Sequence, residues 1–150
     1  MAVESLAAAG EARPGDGRRR PGIHTLVLVP MVLEPEVCRA TSRFDLRLEF
    51  AAELGLFVTR IESDYPAVLI VDVDLAESLT TLSAFARSLR PDVKIFAVTC
   101  YWSERDDGVR GCADAILHKP PRRSQWEAVL GRAGLPRAFP ELTHIAAKAS

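Results

Sequence analysis

The sequence predicts an α/β fold, a doubly wound parallel sheet with helices on both faces. Apolar periodicity switches repeatedly between strand and helix, and several of the strand-like runs are apolar throughout, as strands covered on both faces are. Segments of helix length separate those runs, the spacing of βα units. His24 to Val29 (HTLVLV) is the first such run. Residues 44 to 51 alternate, with Leu46, Leu48 and Phe50 on one face and Arg47 and Glu49 on the other, which predicts a second, half-covered strand. Leu54, Phe57, Val58 and Ile61 recur at the three-and-four spacing of a helix stripe. Ala67 to Val71 (AVLIV) is a third strand, again apolar throughout. Leu75, Leu79, Leu82, Ala86 and Leu89 follow as one helix that Arg90 and Pro91 end, because proline cannot continue it. Lys94 to Thr99 (KIFAVT) and Ala115 to Leu117 (AIL) are the fourth and fifth strands. Ser124 and Glu127 read as a capping box for a last helix whose apolar face is Trp126, Val129 and Leu130. Two further helices are expected over 34–42, with Pro35 in its first turn, and over 103–110, interrupted by Gly108. Five such units fit the flavodoxin-like (βα)5 arrangement with strand order 2-1-3-4-5.

Composition bounds the rest. With 150 residues, 48% of them apolar, the chain suits one ordinary domain. Its 19 basic and 20 acidic side chains leave a formal charge of -1, which argues against a main task of coating nucleic acid or an anionic membrane. No apolar run approaches the ~18 residues that span a bilayer, and Glu4 interrupts the apolar start, so neither membrane nor export is expected and the cytoplasm is the expected compartment. Cys38, Cys100 and Cys112 form no CxxC pair and are read as free thiols, and the scattered His24, His118 and His144 offer no zinc-type spacing. Residues 1–22 hold two prolines, four glycines and the triplet Arg18, Arg19, Arg20, too few large apolar groups to offset ordering entropy; a disordered arm is expected. A nucleic-acid role for that triplet ranks last among the expectations. The domain proper is placed at 23–134, and 135–150 is a tail able to form a short helix after Pro136 and Pro140.

In such sheets chemistry gathers where the carboxyl ends of neighbouring strands converge. Here the third strand delivers Asp72, followed by Asp74; the fourth ends in Thr99; the fifth runs into Lys119 and Pro120. A carboxylate, a hydroxyl and an ammonium on one rim can handle a phosphoryl group, the carboxylate attacking or accepting it while the other two hold its oxygens. Each residue alone has a blander role: Asp72 as a helix cap, Thr99 as an ordinary strand residue, Lys119 as a solvated charge. Their convergence from three strands favours the phosphoryl reading.

These residues resemble the receiver domain of two-component response regulators. PAVLIVD (Pro66 to Asp72) resembles its third strand with the phosphoacceptor aspartate, KIFAVTCY its fourth strand with the switch threonine at Thr99, and AILHKPP its fifth strand with the lysine at Lys119 and its proline. The resemblance covers about residues 24 to 132, and the Lys-Pro pair lies 47 positions beyond the aspartate. It implies a signalling module that is not an enzyme, in a two-component or phosphorelay pathway, with a protein partner such as a histidine kinase and room for a homodimer. It also implies a partner surface over the last two helices and fifth strand, carrying Arg122, Arg123, Tyr101 and Trp102; helix phase makes Trp126 equally a core residue.

The departures are as informative. The family's Mg2+ is held by an acidic pair after the first strand, where this chain has Val29, Pro30 and Met31. Proline and methionine side chains offer no hard oxygen ligand. The family's switch aromatic three before the lysine is Ile116, and Cys112 stands where glycine is usual. The expectation is therefore a degenerate pseudo-receiver with no cofactor, acting by protein contact; only residues 133 to 150 follow its last helix, so no output domain is expected. A phosphorylated receiver is the first alternative, its Mg2+ held by Asp72 and Asp74 with Glu34 or Glu36 reaching back. The second is a haloacid-dehalogenase-like phosphohydrolase using Asp72 and Asp74, which would need a further acidic pair beyond Lys119, where only Glu127 and Glu141 stand.

Overall fold

A computed structural model describes residues 22–99, 111–119 and 121–138. Its sheet has five parallel strands in the order β2-β1-β3-β4-β5, so the predicted flavodoxin-like topology is the one the chain adopts. The strands are β1 (Ile23–Leu28), β2 (Leu46–Phe50), β3 (Val68–Asp72), β4 (Lys94–Thr99) and β5 (Ala115–His118). Among the described residues the helices are α1 (Glu34–Ala40), preceded by a 3-10 turn at Met31–Leu33, then α2 (Leu54–Asp64), the single turn α3 (Val73–Ala76), α4 (Leu79–Leu89) and α5 (Arg123–Arg132).

The continuous apolar runs are explained by a core on each face of the sheet. Alternate residues of one strand serve opposite layers. Leu26, Leu28, Leu69, Val71, Ile95 and Ala97 pack on one side with Phe57 and Ile61 of α2 and Leu82 and Ala86 of α4. Val27, Val68, Ile70, Phe96 and Val98 pack on the other with Val37 of α1 and Trp126, Val129 and Leu130 of α5. Edge strand β2 keeps the alternation the sequence shows, sending Leu46, Leu48 and Phe50 to the α1/α5 layer. Trp126 is fully buried, so it belongs to this core and not to a partner surface.

Three local expectations are corrected. The capping residue of α5 is Arg122, whose N–H donates to Gln125 Oε1 at 3.0 Å; Glu127 instead faces Arg43 at 3.5 Å and Arg123 at 3.4 Å. The helix after β1 stops at Ala40, where Thr41 Oγ1 bonds back to the Val37 carbonyl at 2.7 Å. The stretch from Leu75 to Leu89 is two helices, because Glu77 adopts φ 62, ψ -58 and Ser78 N–H closes on the Ala76 carbonyl at 2.5 Å, a γ-turn. Ser78 then caps α4 by accepting from Thr81 N–H at 3.2 Å. The expected helix over 103–110 lies outside the described residues.

The first residues after α5 return along the start of β2. Asp45 N–H donates to the Pro136 carbonyl and Ala138 N–H to the Arg43 carbonyl, each at 2.8 Å, making an antiparallel bridge between Phe44 and Arg137. The Arg137 guanidinium stacks 5.0 Å from the Phe44 ring. Such cover satisfies backbone groups that an edge would leave open.

Candidate functional site

Asp72 closes β3 with no exposed surface. Its Oδ1 accepts from Asp74 N–H at 2.8 Å, so it does cap α3 as the bland reading expects. Its Oδ2 lies 2.5 Å from Lys119 Nζ, an ion pair lying off hydrogen-bond alignment. Lys119 is delivered by register. Thr99 and His118 are ladder partners, and Lys119 N–H donates to the Thr99 carbonyl at 2.7 Å. Thr99 itself is 7% exposed at the same rim. Asp74 is mostly exposed and its Oδ2 is 3.7 Å from Lys119 Nζ, so two carboxylates share one ammonium. A carboxylate this deeply buried persists only when paired and hydrogen-bonded, and Asp72 has both kinds of partner.

Beside this polar set, the rim above β1 is apolar. Pro30 opens the 3-10 turn, its carbonyl accepting from Leu33 N–H at 2.8 Å. Val29 is buried, whereas Met31 and Val32 are 79% and 81% exposed. Glu36, one of the two acids able to reach back, is engaged by Arg39 at 3.0 Å. Ile116 packs against the α2/α4 core where the resemblance places an aromatic. Cys112 is buried beside Thr80, Sγ to Oγ1 3.4 Å. Arg122 and Arg123 are exposed at the start of α5, as a contact surface needs; Tyr101 and Trp102 lie outside the described residues.

A second polar cluster was not legible beforehand. His24 Nε2 is 2.8 Å from Glu49 Oε1, Arg60 contacts the other Glu49 oxygen, and Arg60 Nη1 is 3.7 Å from Asp64 Oδ2. Burial first, then the Arg47 charge, holds the His24 imidazole below its ordinary pKa; Asp64 pulls the other way, and Arg60 adds a lesser push down. Among the described residues, His24, Glu49 and Asp64 alone form a group of three possible metal ligands, and Arg60 already supplies a cation there. Only the i,i+4 pair Arg60 and Asp64 signals it in sequence. The rest needs β1, β2 and α2 brought together.

No protein-family model matches the chain, and no curated protein does. Solved structures do. A CheY-like response regulator receiver domain from Methanospirillum hungatei JF-1 superposes with TM-score 0.64 at 22% identity, over 74% of this chain and 92% of that one. The receiver domain of a sensor histidine kinase from Pseudomonas aeruginosa PAO1, with magnesium in its active-site cleft, gives 0.62 at 18%, over 74% and 96%. A Burkholderia pseudomallei response regulator with a phosphorylated aspartic acid gives 0.60 at 21%, over 85% and 73%. The fold is thus the CheY-like, flavodoxin-like one shared by signalling receiver domains. Among the described residues no helix is long and apolar enough to cross a membrane.

Proposed function

We propose that the chain is a receiver-like signalling domain of the pseudo-receiver kind, working through protein contact in a two-component-type pathway without a conventional Mg2+-dependent phosphorylation cycle. The observation that carries this reading is the rim above β1, where Pro30 and the exposed Met31 stand in place of hard oxygen donors. Both Asp72 oxygens are already engaged, by Asp74 N–H and by Lys119. This donor set does not fit Mg2+, which holds out for near-octahedral oxygen ligation. Asp72 and Lys119 then act as a buried strut that fixes the rim, and Thr99 lends its carbonyl to hold Lys119 in place. The partner is a protein, such as a histidine kinase, that meets the exposed Arg122 and Arg123 together with Tyr101 and Trp102. Residues 23–134 form the domain, 1–22 is an arm, the tail 135–150 begins by covering the start of β2, and the cytoplasm is its compartment.

The test is titration of the full chain with Mg2+ and beryllofluoride, read by the fluorescence of its two tryptophans. No saturable change is expected. A saturable change that Asp72→Asn abolishes would replace this reading with a phosphorylatable receiver. That alternative has its own support, since the Asp72, Thr99 and Lys119 arrangement is intact. Hydrolysis of a generic phosphomonoester, dependent on both Asp72 and Asp74, would instead favour the phosphohydrolase. Against it, Glu127 is held by Arg43 and Arg123 on α5.

A further inference from the structure

Helices α2 and α4 run side by side on the face of the sheet opposite α5, and a groove of about 360 Å3 opens between them. Its apolar lining comes from Leu54 and Val58 of α2, Ala76 of α3, and Leu82 and Phe85 of α4. Both helices follow parallel strands, so both start at the carboxyl edge of the sheet and the groove runs down from there. Glu77 stands at its upper end, held on the γ-turn between α3 and α4. Leu54, Val58 and Glu62 are spaced four apart and share one stripe of α2, which puts Glu62 beyond the lower lining residue.

The charges around this groove are one-sided. Glu53, Glu62 and Glu77 are exposed and have no partner among the described residues. Every arginine of the same stretch is taken: Arg60 by Glu49 and Asp64, Arg87 by Asp114 and the Cys112 carbonyl, Arg90 by Asp92 and the Tyr65 carbonyl. Residues 53–90 hold six carboxylates against three arginines; Asp72 and Asp74 of these face Lys119 at the rim and Asp64 pairs with Arg60, which leaves Glu53, Glu62 and Glu77 as the acids near the groove. An apolar trough with unpaired carboxylates at both ends and, among the described residues, no free cation on either wall is complementary to one kind of surface.

We propose that this groove seats a basic amphipathic helix of a partner protein. Apolar side chains at i, i+4 and i+7 of that helix fill the space between Val58 and Phe85, and its lysines or arginines meet Glu62 and Glu77. This surface involves neither Asp72 nor the start of α5, so it stands whether or not Asp72 is phosphorylated.

The test is fluorescence anisotropy of the full chain with a labelled peptide of about fourteen residues, built from leucine and lysine at helix spacing. Saturable binding in the micromolar range is expected at physiological salt. Val58→Lys, and separately Glu62→Lys with Glu77→Lys, should each raise Kd about tenfold. Val58→Ala, which leaves the helix and its charges alone, should raise it about threefold, with an unchanged circular dichroism spectrum showing that the fold is kept. Glu34→Lys with Glu36→Lys, on the opposite face, should change Kd less than about twofold. The proposal is overturned by absent binding, by equal binding of the leucine–glutamate counterpart, or by an equal loss in the opposite-face variant. It is also overturned if sedimentation finds the wild type a dimer that Val58→Lys splits, since a second copy would then own the groove.

Discussion

The rim of the sheet has two unlike halves. Above β3, β4 and β5 the described residues make it polar, with Asp72 buried against Lys119 and Thr99 beside them. Above β1 it is apolar and open, with Met31 and Val32 facing solvent. A phosphoryl-type constellation thus combines two physical demands that can separate. A buried carboxylate–ammonium pair holds the rim together whatever its chemistry, because losing one partner strands a charge. Metal chemistry needs further oxygen donors at a defined distance, and those contribute nothing to packing.

Lys119→Met strikes the polar half hardest. It leaves the Asp72 carboxylate buried with only one backbone donor, and a loss of about 3 to 5 kcal/mol in denaturant unfolding is expected. Adding Asp72→Asn to that variant should recover about half of the loss, because the stranded charge goes. A double variant that loses as much as the single would show that the pair is not what holds the polar half.

Supplying donors to the open half tests the other demand. Pro30→Asp with Met31→Asp should make the melting temperature rise with Mg2+, by about 1.4 kcal/mol of added stability at tenfold excess over Kd. The wild type should show no such rise. Relieving the strained γ-turn at Glu77 has a smaller effect: Glu77→Gly should add about 1 kcal/mol, since φ 62 suits glycine and burdens glutamate. That gain would be read from the urea midpoint.

Away from the rim, His24 gives the smallest signal and its sign follows from its depressed pKa. The unfolded chain binds the proton more readily, so this contribution is present above the ordinary value of 6.5 and is lost as pH falls through and below it. Stability should therefore decline as pH falls below the ordinary histidine value of 6.5, and His24→Gln should flatten that decline. An unchanged pH profile in the variant would mean that Glu49 and Arg60 govern the cluster alone.

The topology was legible because β1, β3 and β4 must be apolar on both faces, and the alternation of β2 marks an edge. Asp72, Thr99 and Lys119 were legible for a related reason: each sits at the end of a run whose period is unmistakable. The breaks were not. Nothing in a helical stripe from Leu75 to Leu89 announces that Glu77 takes a positive φ, since that choice depends on α3 turning over the rim while α4 packs below it. The cap of α5 was misplaced because Ser124 and Glu127 have the right spacing, yet Arg43 and Arg123 claim Glu127 and Gln125 caps in its stead.

The strands, the two-sided core and the want of a carboxylate at positions 29 to 31 can be read from the sequence, because periodicity and side-chain chemistry are local properties. The folded sheet set the 2.5 Å approach of Lys119 to Asp72, joined His24 to Glu49, Arg60 and Asp64, and put glutamates at the ends of one apolar groove. Each of those contacts spans separate elements, and only the packed sheet fixes the distances on which electrostatic pairing depends.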